Sequence, residues 1–123
     1  MKIELIEENH TVIAKIISEE KVINEYQDAL DLMDNCQYQG TNKIFLDQKN
    51  IVDEFFDLKT GIAGEILQKF SNYKCQLAII GDFTKFQSKS LRDFIYERNK
   101  MGRIFFVCNI DEAKICLSKN IYN

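Results

Sequence analysis

The chain has 123 residues, of which 46% are hydrophobic and 28% charged, with nine Phe, five Tyr and no Pro. That is the size and composition of one globular domain with a real core, which argues against disorder. No apolar run approaches the ~18 residues that a membrane span needs. The start MKIELIEENH has no apolar signal core, so a soluble, cytoplasmic protein without membrane contact is expected.

The net charge of −3 hides a split. Residues 1–60 hold six basic and thirteen acidic residues, whereas residues 61–123 hold ten basic and six acidic ones. In the second half Lys85, Lys89, Arg92, Arg98, Lys100 and Arg103 are opposed only by Asp93 and Glu97. Nucleic-acid binding by a domain calls for a stronger positive balance than this, and none is expected.

In chain order, KIELIE and TVIAKIIS alternate as strands do, and their separation by Glu8-Asn9-His10 predicts a hairpin. In KVINEYQDALDLMDNCQYQG the apolar residues Val22, Ile23, Tyr26, Ala29, Leu30 and Met33 recur at helical steps, and Gly40 is a stop. KIFLDQKN, CQLAIIGDF and RIFFVCN are short apolar runs of the kind that form strands covered on both faces. Between them lie an amphipathic stripe of Ile62, Ala63, Ile66, Leu67, Phe70 and Tyr73, and a second that begins with Leu91, Phe94 and Ile95. DEAKICLSKN closes the chain as a short helix. The order β-β-α-β-α-β-α-β-α predicts an α/β fold in a single domain over residues 1–123. Its sheet is mostly parallel, with an N-terminal hairpin and right-handed crossovers.

The four cysteines, Cys36, Cys75, Cys108 and Cys116, form no CxxC pair, and a zinc site needs four clustered ligands. Neither a metal nor another cofactor is expected. Cys75 and Cys108 are expected to be small core residues, and His10 to lie in a turn.

A site in such a sheet gathers beyond the carboxyl ends of the strands, beside helix N-termini. That rim brings together Asp47, Gln48, Lys49 and Asn50, then Gly81, Asp82 and Phe83, then Cys108 and Asn109. The stretch Asp57 to Gly61 leads into the second helix at the same rim, and Ser88 and Ser90 lead into the third. Asp57, Thr60, Ser88 and Ser90 are also ordinary capping residues. Gly61 and Gly64 allow close packing of the helix or close approach of a ligand. No GxxxxGK[ST], GxGxxG or GxSxG occurs, so the enzyme case reduces to Asp47 and Asp82 as a carboxylate pair, and the balance leans against catalysis.

The element order and the turn Asp57-Leu58-Lys59-Thr60-Gly61 together resemble a STAS domain (sulfate transporter and anti-sigma antagonist). That family has a hairpin start, a mixed sheet, helices mainly against one face, and an Asp-Ser-Ser/Thr-Gly turn entering the second helix. FFDLKTGIAGEILQKF, LAIIGDF and SKSLRDFIYE are in addition similar to a small bacterial family whose function is uncharacterised. In anti-sigma antagonists a partner kinase phosphorylates the serine two positions before the glycine. Lys59 stands there in this chain, with one extra residue between Asp57 and the glycine. Thr60 matches the family's second hydroxyl and is the phosphorylation candidate.

The resemblance implies a regulatory module that binds a protein partner through Asp57, Lys59, Thr60, Gly61, Gly64, Asp82, Ser88, Ser90 and Arg92. The competing expectation is a phosphate, nucleotide or other small anion held at the same rim by helix N–H groups with Lys59 or Arg92. The unlike charged surfaces also fit head-to-tail pairing into a homodimer.

Overall fold

Five strands and four helices make up the computed structural model, which describes residues 1–118. Strands β1 (Lys2–Glu8) and β2 (Thr11–Ile17) pair antiparallel in full register, from Lys2 against Ile17 to Glu8 against Thr11. Only Asn9 and His10 join them, with φ of 51° and 64°. Two successive left-handed residues give a turn whose twist matches the strands, and asparagine tolerates that region better than most residues.

The remaining strands, β3 (Lys43–Asp47), β4 (Gln76–Ile80) and β5 (Ile104–Val107), add in parallel, giving the order β1-β2-β3-β4-β5. Helices α1 (Tyr26–Tyr38), α2 (Ile62–Asn72) and α3 (Lys89–Met101) make the crossovers. Right-handed crossovers that always place the new strand on the same side keep their helices on one face. The main core follows from this. Ala14, Ile16, Ile44, Leu46, Leu77, Ile79 and Ile104 of the sheet meet Ala29, Leu32 and Met33 of α1 and Ala63, Ile66, Leu67 and Phe70 of α2.

Helix α4 (Ile110–Ser118) covers the other face. Its Ala113 and Leu117 pack on Ile13, Phe45, Ala78, Phe105 and Val107, the alternate residues of the same strands. The domain is therefore α/β with a mixed sheet, three helices on one side and one on the other.

Two local expectations are corrected. Val22 and Ile23 do not belong to α1, which begins at Tyr26. The segment before it is extended, with Ile23 bridged to Ile51 in parallel and fully buried. Asn50 causes this: its carbonyl accepts from the N–H groups of Val22 (2.7 Å) and Ile23 (3.0 Å), and Ile23 accepts in turn from Val52 (2.9 Å). Cys108 is exposed rather than part of the core, because β5 ends at Val107 and the chain turns there toward α4. Cys75 is buried, as is Cys36, whose thiol burial and the neighbouring Cys75 push up to about 11.

Candidate functional site

Aromatic packing brings the starts of α2 and α3 to one rim. Residues Asp53–Phe56 form a 3-10 turn after β3, and Phe83–Lys85 form another after β4. Phe56 from the first stacks on Phe86 beyond the second at 5.3 Å between centroids, and lies 6.1 Å from Phe83. Phe83 meets Phe106 of β5 edge-to-face at 5.3 Å, and Phe94 of α3 meets the same ring at 6.3 Å. Edge-to-face and offset pairs at these spacings each add ~0.5–1.5 kcal/mol beyond the area they bury. The cluster clamps the segment before α2 to the segment before α3.

Most of the residues singled out from the sequence hold these turns together. Asp57 accepts from the Lys59 N–H at 3.2 Å and so caps the 3-10 turn Leu58–Thr60. The Thr60 hydroxyl hydrogen-bonds to the carbonyls of Glu54 (2.9 Å) and Asp57 (2.8 Å), and its oxygen accepts from the Ile62 N–H at 3.2 Å. Gly61 ends that turn at φ 75°, a left-handed value at which a side chain would be strained. Ser88 caps α3 by accepting from Leu91 at 3.2 Å, while Ser90 and Arg92 are exposed in its first turns.

Gly64 differs from these. It sits inside the first turn of α2, and a Cβ built on it would meet nothing within 4 Å. Close packing does not explain it. Together with exposed Gly61, it leaves the start of α2 as bare backbone toward solvent.

Two open hollows flank Gly81. One, of about 420 Å³, is lined by Lys21, Lys49 and Lys85 together with Asp47 and Asp53. The other, of about 350 Å³, is lined by Asp82, Thr84, Arg92, Cys108 and Glu112 over a floor of Phe106 and Val107. Gly81 itself lies against β3's end, since a Cβ there would come 2.5 Å from Gln48 Oε1 and 2.9 Å from Gln48 Cβ.

Asp47 and Asp82 thus line different hollows, and each caps its own turn. Asp47 exchanges bonds with Asn50 in a capping box, and Asp82 accepts from the hydroxyl and N–H of Thr84. Those two bonds hold the Asp82 carboxyl below its ordinary range. Both acids accept from donors of their own turns, as capping residues do.

At the far side of the second hollow, Glu112 accepts from the Cys108 N–H (2.9 Å) and thiol (3.3 Å). The carboxylate raises the Cys108 thiol above its ordinary value, while the Cys108 N–H lowers Glu112. An exposed cysteine held as a thiol is a poor nucleophile.

Sequence reasoning missed the phenylalanine clamp, and it put Asn50 at the rim, where the structure instead buries it as a tie between segments. The clamp's only signal was the density of phenylalanine around the two helix starts. Asn50 is fully buried, and its amide donates to the carbonyls of Ser18 (2.9 Å) and Glu20 (2.8 Å).

A family model described as Domain of unknown function (DUF4180) matches residues 8–117. The chain belongs to the DUF4180 family. The match runs from the end of β1 to the last turn of α4, so in this DUF4180 chain it takes in the whole rim. No curated protein and no solved structure matches the chain. No helix among the described residues is long and apolar enough to cross a membrane.

Proposed function

We propose that this DUF4180 domain is a STAS-like regulatory module that binds a protein partner at the rim formed by the starts of α2 and α3. Gly64 carries the proposal. A glycine inside a helix costs ~1 kcal/mol relative to alanine, and nothing in the fold requires one at this position, where a Cβ would stand in open space. A partner whose surface comes up to the backbone does require it. Lys59, exposed just before Gly61, supplies charge next to that bare patch in the chain, and Arg92, also exposed, lines the open hollow beyond Gly81 at the start of α3.

The same rim favours a protein surface over a small anion. Glu65 already places a carboxylate in the first turn of α2, in the field where a bound anion would have to sit.

A regulatory switch at Thr60 would act by disruption. Its hydroxyl proton serves the Glu54 and Asp57 carbonyls, and a phosphate there would remove that donor and place negative charge beside Asp57.

The test is native mass spectrometry of the chain recovered from its own host at its own expression level, beside a Gly64→Arg variant. A stoichiometric second protein that the variant loses, with its melting temperature kept, supports the proposal. A second protein retained by the variant, a bare chain, or a small bound mass in place of a protein contradicts it.

A further inference from the structure

The two edges of the sheet are treated differently. An edge strand offers unpaired N–H and C=O groups to any chain that comes alongside, and folds that remain monomeric cover or break such edges. Strand β5 is covered. The Asn99 side chain of α3 accepts from the Phe106 N–H at 2.7 Å and donates to the Phe106 carbonyl at 3.3 Å, standing in for a neighbouring strand. Glu112 takes the next outward N–H, that of Cys108.

No side chain among the described residues is bonded along the outer edge of strand β1 in this way, and its guard is the charge of Lys2, Glu4, Glu7 and Glu8, which restricts what can pair with it. This strand is the opposite edge, seven residues long, without a bulge in its register and without proline. Its central residue, Leu5, is 45% exposed.

We infer that β1 is the edge on which a second copy of this chain docks, antiparallel to itself, so that two five-stranded sheets become one. The occupant follows from the charges. A two-fold axis between antiparallel edges stands normal to the sheet and preserves its faces. Ile3 belongs to the α1–α2 side and Ile6 to the α4 side, so an odd-numbered residue must oppose an odd one and an even residue an even one.

Few registers satisfy this. Centred on Glu4, the pairing sets Glu4 against Glu4. Centred on Ile6, it sets Glu4 against Glu8 twice. Registers nearer either end overlap over less than half of the strand. Centred on Leu5, the strands overlap completely, Lys2 lies against Glu8 at both ends, Leu5 meets Leu5, and no like charges are opposed. Glu4 is already balanced by Lys15 across the hairpin. The charges that would repel a misaligned strand therefore select one register. This inference does not rest on the rim, which lies beyond the carboxyl ends of the parallel strands and uses different residues.

The test is sedimentation equilibrium of the intact chain over a wide concentration range. The wild type is expected to give a dimer mass, and Leu5→Lys, which sets two ammonium groups at the axis, a monomer. Lys2→Glu and Glu8→Lys are each expected to weaken the dimer by about tenfold or more, because each turns two attractive pairs into repulsive ones. The double charge swap restores those pairs and is expected to restore the dimer, which separates lost pairing from lost folding. A wild type that stays monomeric throughout, or a dimer indifferent to both single reversals, overturns the inference.

Discussion

Replacing Asn50 by alanine is expected to be among the most damaging polar substitutions in this domain. The side chain is fully buried, donates to the carbonyls of Ser18 at 2.9 Å and Glu20 at 2.8 Å, and accepts from the Asp47 N–H at 3.2 Å. These bonds fasten the extended segment between β2 and α1 to the end of β3, and the same residue's carbonyl holds Val22 and Ile23. At ~1 kcal/mol net for each lost bond the expected loss is about 3 kcal/mol. At roughly 4 °C per kcal/mol for a domain near this size, the melting temperature falls by about 12 °C. Asn50→Asp is expected to do no better, since a carboxylate cannot donate to the two carbonyls and would bury a charge among them. Urea titrations of wild type, N50A and N50D give the stabilities directly. A loss under ~1 kcal/mol for N50A, or an N50D variant as stable as wild type, would refute the assignment of this residue as the stitch.

Gly81→Ala is expected to cost ~1–3 kcal/mol by overpacking against Gln48, and adding Gln48→Gly should recover part of it, both read from chemical denaturation. Thr60→Val removes the hydroxyl that serves two carbonyls and one N–H, for an expected loss of about 1 kcal/mol and faster amide exchange over residues 57–64. Glu112 is held below its ordinary 4.5, so the stability that it contributes is complete above that pH and is lost as pH falls through its folded value. The stability difference between wild type and Glu112→Gln should therefore be full at neutral pH and vanish in acid. The same variant should speed alkylation of Cys108 by iodoacetamide, since the carboxylate that keeps it a thiol is gone.

Much of the fold was legible because the three parallel strands are covered on both faces and so read as unbroken apolar runs. Helix α2 was legible through its stripe of Ala63, Ile66, Leu67 and Phe70, all buried. Helix α1 was extended too early because Val22 and Ile23 happen to continue its spacing. What holds them extended is the main chain of Asn50, far along the sequence, and no local period reports that.

The caps at Asp57, Thr60 and Ser88 could be found from residue type and position, since capping is local chemistry. The stacking of Phe56 on Phe86 could not, because it joins two loops through the third dimension. Cys108 shows the same limit at the scale of one residue: it ends an apolar run, yet the strand stops just before it.

The central claim is that the start of α2 is kept bare for a partner rather than for the fold, and Gly64→Ala tests it most directly. Its melting temperature and its retention of a partner, recovered from the host, are measured together. The account predicts a melting temperature about 4 °C higher with the partner weakened or lost. A variant that is less stable, or one that is more stable and binds as before, would contradict it.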